Sequence, residues 1–372
     1  MKKVIAGLSM LIVVMVSISA VVPSTSSSLK ENFILGTPEI ASINKLTFGP
    51  EGILFLGDSK SASIVALDTK DTQVAETASE INIQNFDEKI AAALGTAVTN
   101  IEINDMAVNP LSKVIYFAVN TTDGTAVLLK LNGDQLEHVS LENIAYSKVQ
   151  LEDAVAPDAK DRRNRPLRIW AISGLKYYKG QLMVSGLSNK EFSSTFRSIP
   201  FPFKADQDYA SLEIYHAAHG QYETYAPIKT FNVIQLEDKD YLIASYTCTP
   251  LVLFPIDELR NGVHVKGRTV AELGAGNSPI DMISIAKEGN RYFLMSNTNR
   301  PIMRIAYTDI VNFKDTMTEP VPEFSATAGV DYISLPLVNV LELDNLDATK
   351  VVYLQRTASG ALVLTSRSTQ WM

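Results

Sequence analysis

The chain has 372 residues, of which 46% are hydrophobic and 20% charged, a composition typical of a folded globular protein. Its 41 acidic residues outnumber its 33 basic ones, and an acidic protein of this kind repels phosphate backbones, which argues against a nucleic-acid partner. The single cysteine, Cys248, excludes an internal disulfide, so that core burial alone must stabilise the fold.

The amino terminus has the pattern of an export signal. Lys2 and Lys3 precede an apolar stretch that ends in small residues and is followed by serines and threonines. We therefore expect residues 1–20 to be a cleaved signal peptide, 21–31 a Ser/Thr-rich linker and 32–372 one domain in the periplasm or outside the cell. An uncleaved membrane anchor is the alternative, because the apolar stretch approaches the length of a spanning helix. The mature chain would carry a charge of about −10 and no membrane span.

A repeated pattern runs through the rest of the chain. Two apolar runs joined by a turn, first seen in Leu46–Lys60, recur at intervals of 51 to 67 residues. The second run of each unit falls at Ile53–Asp58, Val114–Asn120, Gln181–Asn189, Tyr241–Thr249, Tyr292–Arg300 and Val351–Ala358. A third apolar run follows each, and material for a fourth follows the first five. Four strands per unit and six units predict an all-β fold, a six-bladed β-propeller of four-stranded antiparallel blades.

Three further segments refine this prediction. The sixth unit, whose inner strand we place at Leu335–Leu343, ends at Met372 after its third strand. We therefore expect Asn32–Gly36 to supply the outer strand of blade six and so to close the ring. Asn85–Gly95 has the spacing of a short surface helix, with Asn85 as its cap. Leu151–Arg168 is polar and contains proline, which predicts a long loop.

The order of apolar strand, Pro50–Gly52 turn, apolar strand and polar loop resembles that of the NHL-repeat and gluconolactonase-type six-bladed propellers. The resemblance implies a channel in which a gluconolactonase-type enzyme would hold a divalent cation with Glu, Asn and Asp side chains. Asp105 and Asp281 are the candidate counterparts in this sequence. Lys45 stands at a position where such an enzyme would benefit from an acid.

The candidate site lies where the innermost strands begin. The residues at these positions in the first five units are Lys45, Asp105, Gly174, Thr230 and Asp281. Blades two and five are opposite one another in a six-membered ring, so Asp105 and Asp281 are expected to face each other across the channel. Two such carboxylates either share a proton or bind a cation, calcium or zinc. Alternatively, each caps the backbone of its own loop.

Loops between the second and third strands add polar residues on the same face. The ones we single out as ligand-binding candidates are Asn189, Asn297, Asn299, Arg300 and Arg356. Together with the strand-start residues they would suit a small polar ligand or a hard cation. The simpler interpretation is that exposed loops are polar.

A second metal candidate lies in Tyr215–Pro227. His216, His219 and Glu223 offer imidazole and carboxylate ligands suited to zinc or another transition metal. A regular strand would place the two histidines on opposite faces, so the hypothesis needs a bend between them. The alternative is a hydrogen-bonded loop. Cys248 has no basic neighbour in sequence to activate it and is interpreted as a small thiol, buried or semi-buried.

Three functions remain open from the sequence. The first is an exported, monomeric propeller that binds a small polar molecule or another exported protein at the channel mouth. The second is a hydrolase of the gluconolactonase kind that depends on a divalent metal. The third is an accessory protein to a periplasmic redox enzyme. No nucleophile-elbow, phosphate-loop or haem-attachment motif is present, so the sequence alone leaves catalysis undecided.

Overall fold

The computed structural model describes residues 28–204 and 207–372 and confirms the predicted all-β six-bladed propeller. The predicted signal peptide and most of the linker lie outside these residues. Within the described ranges, no helix is long and apolar enough to cross a bilayer. Each of the six sheets is one blade, and we number the blades by the chain order of their innermost strands.

The first three blades have the following strands. Blade 1 contains β2 (Lys45–Phe48), β3 (Ile53–Asp58), β4 (Ser63–Asp68), β10 (Ile144–Gln150) and β1 (Ile34–Gly36). Blade 2 contains β6 (Ile101–Val108), β7 (Ile115–Thr121), β8 (Ala126–Asn132) and β9 (Gln135–His138). Blade 3 contains β11 (Gly174–Tyr178), β12 (Gln181–Leu187), β13 (Ser194–Pro200) and β14 (Asp208–His216), and β14 also pairs with β15 (Gln221–Glu223) and β19 (His264–Lys266).

The other three blades complete the ring. Blade 4 contains β16 (Thr230–Leu236), β17 (Lys239–Ser245), β18 (Pro250–Pro255), β20 (Arg268–Glu272) and β24 (Ala328–Gly329). Blade 5 contains β21 (Pro279–Lys287), β22 (Asn290–Asn297), β23 (Met303–Ala306) and β25 (Ile333–Ser334). Blade 6 contains β26 (Val340–Asn345), β27 (Lys350–Arg356), β28 (Leu362–Ser368) and β5 (Asn82–Ile83).

Helical structure is sparse. In the described part of the chain the α-helices are α1 (Phe86–Ala93) and α2 (Tyr307–Asn312). Short 3-10 turns occur at Pro50–Gly52, Val98–Asn100, Arg168–Trp170, Ile256–Glu258 and Thr369–Trp371. The predicted surface helix is thus confirmed, although its Asn85 makes no capping bond to the backbone. The predicted loop at 151–168 contains no strand, and the predicted turn at Pro50–Gly52 is present.

The blades do not follow one another round the ring in chain order. The innermost strand of blade 1 contacts those of blades 2 and 3, and the innermost strand of blade 6 contacts those of blades 5 and 2. The spatial order is therefore 1, 3, 4, 5, 6, 2. The hydrophobic core agrees, because its six clusters fill the six interfaces between neighbours in this order.

The prediction that Asn32–Gly36 closes blade 6 is wrong. Strand β1 pairs with β10 at the outer edge of blade 1. Strand β5, from the link between blades 1 and 2, pairs with β28 and completes blade 6 instead. This link passes beneath blade 2, where the carbonyl and carboxylate of Asp71 accept hydrogen bonds from Asn109 and Ser112. The link therefore passes blade 2 and brings Asn82–Ile83 to blade 6, the next blade in the ring.

Blade 1 is assembled from two distant parts of the chain. Its strands β1–β4 come from the amino terminus, whereas β10 arrives only after the whole of blade 2. Without the amino-terminal strands, β10 would be a lone outer strand between blades 2 and 3. The amino-terminal segment therefore inserts into a blade that the rest of the chain leaves incomplete.

This arrangement predicts unequal effects of two truncations. Relative to a chain starting at Ser28, removal of residues 28–36 deletes an edge strand whose Ile34 and Leu35 are 60% and 68% exposed. It also deletes the half-buried Phe33, so we expect the free energy of unfolding to fall by about 2–4 kcal/mol in urea titrations. Removal through Asp68 deletes the fully buried Ile53 and Phe55 and should abolish cooperative unfolding. Loss of cooperativity in the shorter truncation would contradict the assignment.

Candidate functional site

The innermost strands of all six blades surround a central cavity of about 340 Å³. We call the end at which these strands begin the mouth; Lys45, Asp105 and Thr230 lie near it. A volume of this size is at the lower end of the range for small-molecule sites. The walls combine apolar residues with an unusual number of charges: Lys45, Lys176, Lys229, Asp105, Asp281 and Asp344.

Backbone irregularities aim three acids at one point. The pairing of the innermost strand with the second strand shifts between Ile103 and Asp105 in blade 2 and between Pro279 and Met282 in blade 5. A third shift, in blade 6, immediately precedes Glu342. Such β-bulges re-aim side chains and recur beside functional sites. Blades 5, 6 and 2 are consecutive in the ring, so the three bulges lie side by side.

The three acids converge. One carboxylate oxygen from each of Asp105, Asp281 and Glu342 lies within 4.8 Å of the other two. The Lys45 ammonium from blade 1 joins them, 2.8 Å from Asp105 Oδ1. We call these four residues the channel cluster. Asp105 and Asp281 do meet, but blades 2 and 5 flank blade 6 and are not opposite one another. The expected opposition is wrong because the amino-terminal strands alter the blade order.

Carboxylates also join neighbouring blades. Asp105 Oδ2 accepts the backbone N–H of Leu46 at 2.5 Å, and Asp281 Oδ2 accepts that of Leu343 at 2.8 Å. Asp344 repeats the contact by accepting the N–H of Val108 at 2.8 Å. Each bond runs from one innermost strand to the next, so these aspartates hold blades together as well as charging the channel.

Glu342 differs from the other acids of the cluster. Its side chain is buried, and its Oε2 has no hydrogen-bond partner among the described residues. Burial and the neighbouring Asp281 carboxylate raise the pKa of Glu342 well above its usual value. A carboxyl with a raised pKa, and with an oxygen that has no partner in the described part of the chain, therefore sits beside Asp105.

The residues of the cluster shift one another's pKa values. Burial, opposed by the Lys45 ammonium, raises the pKa of Asp281 to about 7. Burial alone would lower the pKa of Lys45, but attraction to the carboxylates of Asp105 and Asp281 is the larger effect and raises it. The cluster thus combines a lysine whose ammonium is stabilised with two carboxyls whose pKa values are raised.

Two other lysines line the channel, and they differ in whether a carboxylate lies nearby. Lys176 lies near Asp344; burial lowers the pKa of the lysine and raises that of the aspartate to about 6. Lys229 makes no ion pair within the described ranges, and its Nζ lies 3.5 Å from the ring centroid of Trp170. Burial and repulsion from Lys45 lower the pKa of Lys229 to about 8. Lys229 is therefore a cation that faces the cavity without a carboxylate partner.

Of the other predicted ligand residues, only Thr230 lines the channel. Thr230 lines the channel with the cluster, but Asn189 and Arg356 are exposed and do not. Asn297 is buried and accepts a hydrogen bond from Asn277, while Asn299 and Arg300 bond to carbonyls of the link between blades 4 and 5. A ligand role for these five loop residues stays a prediction, and the contacts of the last three are structural.

The two histidines of 215–227 are brought together. His216 Nδ1 lies 3.0 Å from Glu223 Oε2, and His219 Nδ1 lies 2.6 Å from Glu223 Oε1. Burial opposes the charge on Glu223, but these bonds lower its pKa to about 2. Cys248 comes from the loop after β17, and burial raises the pKa of its thiol. Sequence reasoning found the histidines but did not connect Cys248 to them.

Glu342, Lys176, Lys229 and Asp344 were also missed. The inner strand of blade 6 begins at Val340, five residues later than predicted, and this hid Glu342. The sequence did contain a sign of it, because Glu342 is a charged residue within the apolar run Val340–Leu343, which an innermost strand would bury.

The raised carboxyl pKa values predict how stability depends on pH. The native state binds more protons than the unfolded chain between about pH 4 and the folded pKa values, so the free energy of unfolding falls as pH rises through this window. One such group contributes up to about 1.4 kcal/mol per pH unit. Glu342→Gln should make the fall between pH 5 and 7.5 shallower in urea titrations. Glu288→Gln, in an exposed hairpin, is the control, and equal slopes in all three proteins would contradict the assignment.

Comparisons with known proteins add little about function. No protein-family model and no curated protein matches the sequence. Among solved structures, a GH43 endo-arabinanase from Bacillus licheniformis is 13% identical, with a TM-score of 0.36 over 72% of this chain and 93% of its own. The PQQ-bound aldose sugar dehydrogenase from Streptomyces coelicolor is 12% identical, with a TM-score of 0.32 over 89% and 96%.

An engineered GH43 glycoside hydrolase with endo-xylanase and exo-arabinofuranosidase activity is 14% identical, with a TM-score of 0.34. The alignment covers 72% of this chain, which spans 50% of the length of that hydrolase. Likeness at this level carries no argument about activity or ligands. The propeller itself rests on the six sheets and on the order in which their innermost strands meet.

Proposed function

We propose that this protein binds, in its central channel, a small hydroxyl-rich molecule that carries a negative charge. The observation that supports this most directly is that Lys45, Asp105 and Asp281 line one cavity of about 340 Å³, with a carboxylate oxygen of the buried Glu342 within 4.8 Å of those of both aspartates. Three bulges in consecutive blades produce that convergence, and regular strands would not.

The hydroxyl groups of such a ligand match the carboxyl pair. Among the described residues, Glu342 Oε2 has no hydrogen-bond partner; burial raises the pKa of Glu342, and that of Asp281 is about 7. A carboxyl that exchanges its proton near neutrality both donates to and accepts from a hydroxyl.

The negative charge of the ligand matches Lys229. This ammonium is held over Trp170 and faces the cavity without an ion pair from the described residues. Lys45, by contrast, already neutralises part of the acidic cluster. A ligand anion beside Lys229 would relieve the unfavourable burial of that charge. Carboxylate-bearing sugars and hydroxy acids have this combination of groups.

A divalent-metal hydrolase at the same site is the second candidate. The three carboxylate oxygens within 4.8 Å of one another favour it, because hard cations prefer such ligands. Lys45 opposes it, since its ammonium contacts Asp105 from within the cluster. A cation would have to displace this side chain before Asp105 could act as a ligand.

The ligand proposal predicts the outcome of a binding panel. Sugar acids such as gluconate and galacturonate should raise the melting temperature and bind in calorimetry, and the matched neutral sugars should bind at least tenfold more weakly. Lys229→Met and Asp281→Asn should each weaken sugar-acid binding tenfold or more, because each removes a charged or proton-sharing partner. Lys190→Met, an exposed lysine in a loop outside the channel, is the matched control.

Binding should also depend on pH. Because the pKa of Lys229 is about 8, affinity for a sugar acid should fall by up to about tenfold per pH unit above that value. No response to any acid in the panel, or a response that survives in both channel variants, would refute the proposal.

A cation titration separates the two candidates. Calcium should leave the melting temperature of the wild-type protein unchanged and raise that of Lys45→Met, in which the three carboxylates lack their ammonium. Stabilisation of the wild type by calcium, lost in Asp281→Asn, would favour the hydrolase instead.

A further inference from the structure

The border between blades 3 and 4 carries a second cluster of chemically reactive side chains. One nitrogen from each of His216 and His219 and the sulfur of Cys248 lie within 4.8 Å of one another. From this convergence we infer a zinc site, formed by these three residues with Glu272 as the fourth ligand. The inference is independent of the proposed channel ligand, because these residues do not line the channel.

A tight turn brings the two histidines to one point. Strand β14 ends at His216, and the N–H of His219 then donates to the carbonyl of His216 at 3.1 Å. In a regular strand the two histidines would point to opposite faces, but the turn places them on the same side. Their imidazole centroids lie 3.8 Å apart, with the ring planes at 39°. This is the bend that the sequence hypothesis required.

Glu223 orients both rings. Its two oxygens contact Nδ1 of His216 and Nδ1 of His219 at 3.0 and 2.6 Å. When each Nδ1 donates its proton to this carboxylate, each Nε2 keeps a free lone pair. Zinc-ligating histidines commonly have such a carboxylate behind them, which fixes the tautomer and the ring orientation. Glu223 is therefore a positioning residue here and not the metal ligand that its sequence spacing suggested.

The loop that carries Cys248 is fixed in an unusual conformation. Cys248 and Thr249 both have positive φ, 67° and 60°, which is rare for two consecutive residues other than glycine. The N–H of Cys248 donates to the carbonyl of Asn277 at 2.8 Å, and the Thr249 hydroxyl donates to that of Gly274 at 2.9 Å. This backbone strain places the thiol beside the histidines, and such strain tends to concentrate at functional sites.

Two buried polar atoms point to an occupant. His216 Nε2 and Glu272 Oε1 have no hydrogen-bond partner among the described residues, although the side chains are only 2% and 0% exposed. His216 Nε2 lies 3.8 Å from Glu272 Oε2. Neighbouring ligands of a tetrahedral zinc ion are about 3.3–3.6 Å apart, given bond lengths of about 2.0–2.3 Å. A zinc ion would thus satisfy His216 Nε2, and Glu272, whose Oε2 already accepts the N–H of Ala218 at 3.1 Å, would have to move closer to coordinate it.

The types of ligand at this site indicate which metal it would bind. Two imidazoles and a thiolate exclude calcium and magnesium, which require oxygen ligands, and fit zinc. The thiolate and the Glu272 carboxylate together balance the charge of a divalent ion. His219 is 37% exposed, so that side of the site is open to solvent and gives an ion a route of entry.

Because Cys248 is the only cysteine in the chain, its reactivity reports on the site directly. We expect the purified protein, stripped with chelator and titrated with Zn(II), to bind one ion per chain in calorimetry. Bound zinc should slow the reaction of the thiol with a disulfide reagent at least tenfold. Cys248→Ser and His219→Gln should each weaken zinc binding by tenfold or more, and His219 is exposed enough for its replacement to leave folding intact.

Glu223→Gln tests the positioning role. It should lower zinc affinity 10- to 100-fold, the range seen when the carboxylate behind a ligating histidine is removed. Cobalt(II) in place of zinc should give a thiolate charge-transfer band in the wild type that Cys248→Ser abolishes. A purely structural role for Glu223 would instead lower the melting temperature and leave the zinc affinity unchanged in the folded fraction.

Two controls separate this site from other sources of binding. His138→Gln replaces an exposed histidine in blade 2, and Asp281→Asn alters only the channel cluster. Both should bind zinc like the wild type. The inference would be overturned by zinc binding that survives in Cys248→Ser and His219→Gln, by binding that Asp281→Asn abolishes, or by no stoichiometric binding at all.

Discussion

The free edge of each innermost strand is the constraint on which the centre of this propeller depends. These strands have a sheet partner on one side only, and N–H groups on the other side need a partner from elsewhere. Asp105, Asp281 and Asp344 each accept such an N–H from a neighbouring blade. The carboxylates that charge the channel thus also form bonds that hold the ring together, and Lys45 forms an ion pair with one of them, Asp105.

The fold could be predicted from the sequence because each blade repeats the same local pattern of apolar strands and turns. The blade order could not, since every apolar run predicts a strand without specifying its neighbours. Asn82–Ile83 shows the difficulty: two residues of an irregular link become the outer strand of blade 6 only because the link passes beneath blade 2. Asn32–Gly36 was the more strand-like segment, yet it lies at an edge of blade 1.

The candidate sites were predictable to different degrees. Asp105 and Asp281 stood out because they occupy equivalent positions at the starts of two strands. Glu342 joins them through a β-bulge, a backbone irregularity for which the sequence has no reliable signal. His216 and His219 were visible from their spacing, but Cys248 approaches them from the neighbouring blade through a loop with positive φ at consecutive residues. Contacts of this kind depend on tertiary structure that no local pattern encodes.

Blade 6 is built from two parts of the chain that lie far apart in sequence, and this affects how the molecule can assemble. Strand β5 pairs with β28, which lies some 280 residues further along the chain. The outer edge of blade 6 therefore stays incomplete until both distant segments are present and the ring has formed. Contacts between such distant residues slow folding, because a large loop must close before they contribute any stability. Ring closure is expected to be a late, cooperative step that leaves no stable partial propeller of five blades.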